Sequence, residues 1–347
     1  MQPKHFQRAG IFAGILIISF IVIWEIFWRS QGFPISFNDD ESLWSEKREQ
    51  VYKPIDEATV FIGSSRIKFD LDIPTWEKIT GEKAIQLSFV GTSPRPLLDD
   101  LANDIKFKGK VIIDVTEGIF FDPNEARANS SAATAIKYYK DWTPAQKASS
   151  RLNKFLESGL VFLDKNKFSL NAFLNEIPLH KRKGVFVFPL FPRGFEMNTS
   201  ERQNFMTDDF VKDTVQHNKQ IANWIFFGDT VITKGIQGDS LTTVLNKVKK
   251  SIDKIKARGG KVLFVRTPSS GGYIKTEQIV YPRDQYWDRM LAYTNTQGIH
   301  FQDYPGIANF ICPEWSHLTP ADAIIFTREF IKILEEKGWK FKTTKNL

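Results

Sequence analysis

Five short runs of β-branched and aromatic residues, separated by stretches of helical periodicity, constrain this chain more than any other feature. They lie at 59–62, 84–87, 111–115, 262–265 and 299–301. Three are nearly continuous apolar runs, the pattern of strands buried on both faces of a parallel sheet. Between them, Leu241, Val244, Leu245, Val248, Ile252 and Ile255 form one helical stripe, preceded by Asp239 and Ser240 as caps and followed by Gly259. Near the C-terminus, Thr319-Pro320-Ala321-Asp322 reads as an N-cap, a proline at the first helical position and an acid in the first turn. That helix should run through Phe326, Phe330 and Ile333 to Gly338. Strands alternating with helices imply an α/β fold: a doubly wound, flavodoxin-like, five-stranded parallel sheet in three layers.

Ahead of this domain stands an apolar segment. Residues 1–8 carry Lys4 and Arg8 and no acid, and 9–24 carry no charge; Glu25 interrupts before Ile26, Phe27 and Trp28. Twenty helical residues at about 1.5 Å each reach about 30 Å, the thickness of a bilayer's hydrocarbon core. Glu25 lies about one turn from the far end, within reach of headgroups, and Trp24 and Trp28 suit the interfacial belt. A cleaved signal peptide would need a small-x-small site, and none follows. A retained signal anchor at 9–28 is therefore expected in the cytoplasmic (inner) membrane, with 1–8 cytoplasmic and the rest extracytoplasmic, or periplasmic. Residues 29–57 read as a stalk with Trp44 and Tyr52 as packing anchors, and 58–122 with 240–338 as the α/β domain. The intervening 123–239 is too long for one crossover. It reads as a largely helical insertion, a lid or partner surface, with helices at 138–156 and 207–227 and a strand at 185–190.

The chain has 347 residues and a formal charge of +7, but its Lys and Arg are interleaved with acids rather than gathered on one arm. The excess therefore reads as attraction to anionic lipid or acidic glycan, and no nucleic acid is expected as a partner. The 30 Phe, 9 Trp and 8 Tyr suit a deep core or a sugar-stacking cleft. One cysteine, Cys312, excludes an internal disulfide and reads as a small packing residue. His180, His217 and His300 have no metal-ligand spacing; no metal and no cofactor are expected.

In open α/β sheets ligands bind beyond the carboxyl ends of the strands. The first such end is Gly63-Ser64-Ser65-Arg66, where a glycine allows a sharp turn and a serine can sit exposed at the rim. The second carries Gly91, whose N–H could face the same crevice as an oxyanion donor. Before the last helix stands Cys312-Pro313-Glu314-Trp315-Ser316-His317-Leu318. A base needs an imidazole near the nucleophile and an acceptor on its other nitrogen, and Glu314 can supply that acceptor to His317.

Taken together, these segments resemble the SGNH/GDSL hydrolase superfamily over about 57–122 and 240–337. Its Gly-Asp-Ser block is matched by Gly63-Ser64-Ser65, its oxyanion glycine by Gly91, and its Asp-x-x-His-Leu block by Glu314-Trp315-Ser316-His317-Leu318. The resemblance implies Ser65 as nucleophile, His317 as base and Glu314 as its orienting acid. It also implies an oxyanion site at the N–H groups of Ser65 and Gly91. The family's Gly-x-Asn-Asp block is replaced by Asp114-Val115-Thr116-Glu117, so Thr116 stands where an Asn completes the oxyanion hole. Ser64, Arg66 and Arg266 are secondary candidates for substrate contact, Arg266 being equally readable as half of a salt bridge. These departures are similar to those of the divergent single-span branch that works on cell-envelope glycans. That branch includes the D-alanyl-transfer protein of teichoic acids and the alginate O-acetylation proteins. The expected function is serine acyl transfer or ester hydrolysis on a cell-envelope polysaccharide, with a glycan or acyl donor and a multi-span membrane acyltransferase as partners. A catalytically silent glycan-binding or docking subunit is the alternative.

Overall fold

Each of the five runs is a strand because its side chains find apolar cover on both faces. In the computed structural model, which describes residues 3–177, 189–231 and 235–342, these are β1 (Ala58–Ile62), β2 (Lys83–Gln86), β3 (Lys110–Asp114), β4 (Lys261–Arg266) and β5 (Gly298–His300). They pair only in parallel, in the order β2-β1-β3-β4-β5, a doubly wound, flavodoxin-like order whose crevice opens at the β1/β3 switch point. Register sets Val60 beside Val111 and Ile113 beside Phe264. Alternation then divides the core. Val60, Ile62, Val111, Ile113 and Phe264 face the layer containing the helices Arg95–Asn103 and Gly238–Ala257. Phe61, Ile112, Leu263 and Val265 face the opposite layer, with Ser65–Asp70, Ile73–Thr80 and Pro320–Glu336.

The caps follow the sequence closely at the C-terminal helix. Thr319 Oγ1 accepts from the Asp322 N–H at 3.1 Å, and Pro320 opens the helix. Helix Gly238–Ala257 takes in Asp239 and Ser240, the residues expected to cap it, and its cap position is Gln237. Two expected helices are each broken in two. Residues 138–156 fall into Glu125–Lys140 and Pro144–Glu157, because Thr143 and Gln146 form a reciprocal capping box that starts a new helix. Residues 207–227 fall into Asp208–Lys212 and Thr214–Val231, with Asp213 accepting from the N–H groups of Val215 and Gln216. Most of the expected strand at 185–190 lies outside the described residues.

The chain divides into two units. The larger, 39–142 with 191–347, holds the sheet and its helices. Residues 39–57 belong to it rather than forming a stalk: the buried Trp44 donates its indole N–H to Leu87 O at 3.0 Å, and Arg48 binds Asp100 and Asp104. The flanks of the expected insertion also belong here, including a two-stranded antiparallel hairpin, Met197–Asn198 with Asn204–Phe205. The smaller unit joins 1–38 to 143–190. Its long helix, Pro3–Ser30, contains a stretch, Phe6–Ser30, long and apolar enough to cross a membrane. Glu25 is engaged within this unit: its carboxylate accepts from the Val161 N–H at 3.0 and 2.9 Å and from Arg29 Nε at 2.6 Å.

Candidate active site

The nucleophile's position follows from a crowded turn. β1 ends at Ile62, and a Cβ on Gly63 would lie 2.6 Å from Asp114 Cβ and 2.8 Å from Ile67 Cγ2, so only glycine fits there. Ser64 caps the next helix, its Oγ accepting from the Arg66 N–H at 3.3 Å. Ser65, the first residue of that helix, is half-buried while its neighbours Ser64 and Arg66 are buried. Its hydroxyl is thus presented at the rim of the sheet.

The His317 loop reaches the same rim through a strained turn. Trp315 has φ of +78°, a left-handed conformation rare for a bulky residue, and its ring covers Gly271 and Gly272. This turn folds Glu314 back on its own loop. Glu314 Oε1 accepts from the His317 N–H at 2.7 Å, the Ser316 N–H at 3.3 Å and His317 Nδ1 at 3.0 Å. A carboxylate can only accept, so Nδ1 carries the proton and Nε2 presents a lone pair. Nε2 lies 2.9 Å from Ser65 Oγ, across 252 positions of sequence. The loop is fastened from below as well, the Leu318 N–H donating to Asp70 Oδ1 at 2.9 Å. Ser65, His317 and Glu314 therefore form one continuous hydrogen-bonded chain.

Several residues of this site carry no signal in the sequence motifs. Trp224, on helix Thr214–Val231, donates its indole N–H to Glu314 Oε2. The imidazole lies among the rings of Phe69 at 4.4 Å, Phe195 at 5.7 Å and Trp224 at 5.9 Å. Phe195 and Trp224 come from the expected insertion, which has no counterpart in the motif blocks. A clue was available only in the aromatic richness of 186–227. Among the described residues, a cavity of about 290 Å³ adjoins the site, lined by Thr116, Trp224, Tyr273, Tyr281, Trp315 and their neighbours.

The expected oxyanion residues are placed less uniformly. Gly91 is exposed in the loop after β2 with φ of +62°, a conformation that favours glycine. Thr116 Oγ1 lies 2.7 Å from Ser64 Oγ, which in turn lies 3.3 Å from Asp114 Oδ2. Burial pushes the Asp114 carboxyl above the usual range. One hydroxyl proton must serve the Ser64–Thr116 contact, so the Thr116 proton is available to a substrate only when Ser64 is the donor.

Three residues read as candidates for substrate contact are turned inward. Ser64 is buried as a cap. Arg66 binds Glu277 at 2.5 Å and reaches Ser316 Oγ at 3.3 Å. Arg266 binds Glu117 at 3.1 Å, Ser269 at 2.9 Å and Glu277. A buried cation must be paired, and these two arginines share one carboxylate. Burial raises the Glu277 carboxyl, yet Arg266 and Arg66 outweigh it and hold the group below the usual range. Their role is to brace Ser316 and the end of β4, not to meet solvent.

His217, His300 and Cys312 have other contacts, and His180 lies outside the described residues. His217 contacts Phe210 O at 2.8 Å through Nε2, and His300 is buried beside Trp287 and Phe301. Cys312 is buried in the core layer, and burial pushes its thiol well above the ordinary value. Among the described residues, no group of three or more His, Cys, Asp or Glu side chains gathers to hold a metal. No protein-family model matches the chain, and no curated protein matches it.

Proposed function

We propose that this chain is a membrane-anchored, extracytoplasmic serine acyltransferase or esterase of the SGNH kind, acting on O-acyl groups of a cell-envelope polysaccharide. The observation that carries the reading is the 2.9 Å contact of Ser65 Oγ with His317 Nε2, backed by Glu314 at 3.0 Å on Nδ1. As Oγ attacks an ester carbonyl, its proton passes to Nε2. The imidazolium is stabilised by Glu314, and the N–H groups of Ser65 and Gly91 with the Thr116 hydroxyl receive the oxyanion. Collapse breaks the ester C–O bond, the leaving oxygen takes the proton from Nε2, and the acyl group remains on Ser65. A sugar hydroxyl, or water in an esterase, then attacks the acyl carbon as His317 accepts its proton; the acyl–Oγ bond breaks and Ser65 Oγ takes that proton back from Nε2. The aromatic cavity beside Thr116 offers room for acyl or sugar atoms.

One observation favours a second reading, a catalytically silent subunit docked to a multi-span acyltransferase. Thr116 takes the place of an oxyanion Asn, and its hydroxyl is engaged with Ser64. Cells carrying Ser65→Ala separate the two. Loss of ester-linked acyl groups from the envelope polysaccharide, with the protein still present at wild-type abundance, is the expected outcome. Unchanged acylation favours the silent subunit.

A further inference from the structure

The helices at 144–177 expose large apolar side chains that a water-facing helix would turn inward. In Pro144–Glu157 the buried positions are polar, Ser150 and Glu157, and Glu157 receives Asn38 Nδ2 at 2.6 Å. Large apolar side chains stand among the exposed positions, beside Arg151 and Asn153: Leu152 is 59% exposed, Phe155 74% and Leu156 38%. Helix Leu170–Glu176 repeats the pattern, with Leu170, Phe173 and Leu174 exposed at the i, i+3, i+4 spacing of a single face. Two helices of one segment that leave Leu and Phe outward, without a cover among the described residues, match an apolar surrounding.

Their depth is fixed by the N-terminal helix. Phe6–Ser30 is 25 residues, about 37 Å at 1.5 Å per residue against about 30 Å of hydrocarbon, so its last residues stand in the headgroups. Those residues hold the junction between the two regions. Arg29 Nη2 donates to Gly159 O at 3.0 Å, Glu25 receives the Val161 N–H, and Trp28 packs on Phe168 at 4.8 Å. The segment 159–168 therefore sits at the level of the outer end of the span. Lys147, Arg151, Lys154, Lys165 and Lys167 stand in the same segment, 144–177, against Glu157, Asp164 and Glu176. This excess of positive charge complements anionic headgroups.

We infer that 144–177 is an interfacial collar, laying Leu152, Phe155, Leu156, Leu170, Phe173 and Leu174 about 5–10 Å into the headgroup–acyl boundary around the anchor. The inference rests on Phe6–Ser30 spanning the membrane. Its occupant is lipid, and the collar fixes the height of the smaller unit on the bilayer.

The test uses the full chain reconstituted in vesicles of phosphatidylethanolamine and phosphatidylglycerol. A nitrobenzoxadiazole fluorophore is placed at Phe155→Cys, at Ile18→Cys within the span, or at Lys332→Cys on the larger unit. Spin-labelled lipids quench at shallow or deep positions. The collar predicts blue-shifted emission from position 155, quenched more by shallow than by deep labels. Position 18 should be quenched most by deep labels and position 332 by neither. Emission from 155 in a water-like environment, with 18 still quenched, overturns the collar and leaves the anchor standing; this is also the result if a protein partner covers the face in cells. Loss of quenching at position 18 overturns the anchor and the collar together.

Discussion

The indole of Trp224 donates to Oε2 of Glu314, the carboxylate oxygen opposite the one that holds His317. Through this bond a helix from the long segment between β3 and β4 holds the second oxygen of the carboxylate that faces His317. A carboxylate fixed on both oxygens cannot rotate, so the imidazole it steers keeps its lone pair on Ser65.

That relationship predicts a graded series. Trp224→Phe keeps a ring against His317 but removes the donor. It should slow the reaction of Ser65 with a fluorophosphonate about tenfold, the scale of one lost hydrogen bond to a charged group. Glu314→Gln disturbs the tautomer and should cost about 10²–10⁴. Pseudo-first-order labelling rates, with circular dichroism to confirm folding, decide it. Equal rates in wild type and Trp224→Phe would remove Trp224 from the site.

Thr116 tests the oxyanion assignment. Thr116→Val removes a hydroxyl shared with Ser64 and should slow labelling about tenfold, less than the ~10²–10³ of a fully committed donor. Thr116→Asn restores an amide donor and should recover the rate. A Val variant as fast as wild type would leave the backbone N–H groups as sole donors.

Gly63→Ala probes the turn that presents Ser65. The added Cβ would meet Asp114 Cβ and Ile67 Cγ2 at 2.6 and 2.8 Å, both in the core. Overpacking of this kind costs about 1–3 kcal/mol. Urea unfolding of the two proteins should show the lowered midpoint, and an unchanged midpoint would mean the turn relaxes freely.

His300 gives a pH signature unconnected with catalysis. Burial, with the Arg266 and Arg283 cations nearby, pulls its pKa down to about 3. The unfolded chain binds that proton near the ordinary value of about 6.5. Stability from the neutral ring is therefore full above about 6.5 and is lost as pH falls toward 3, with a slope of up to about 1.4 kcal/mol per pH unit. Unfolding midpoints of wild type should fall more steeply over that window than those of His300→Gln. Parallel slopes would contradict it.

The parts legible in the sequence are those governed by local rules. Strands announce themselves when both faces are apolar, as in Val111–Ile113, and Thr319-Pro320 marks a helix start by hydrogen-bond chemistry that needs no tertiary context. Ser65, Glu314 and His317 are nameable through the resemblance of their blocks, each confined to one loop, to those of the SGNH/GDSL superfamily. What the sequence left open depended on contacts distant along the chain. Arg66 and Arg266 lie at strand ends, where ligands usually bind, and only folding brings Glu277 between them. Trp224 was one aromatic among many until its helix met Glu314. The segment 39–57 looked polar enough for a stalk because Arg48 is balanced by Asp100 and Asp104, more than fifty positions away.

The central claim is tested most directly by mass spectrometry of the full-length protein after exposure to a fluorophosphonate under folded conditions. A single adduct on the peptide containing Ser65 is predicted. It should be absent in Ser65→Ala and slower by at least about 10² in His317→Ala, as expected of a serine that depends on its base. A folded wild-type chain that takes no adduct, or that reacts equally fast without His317, would contradict the account.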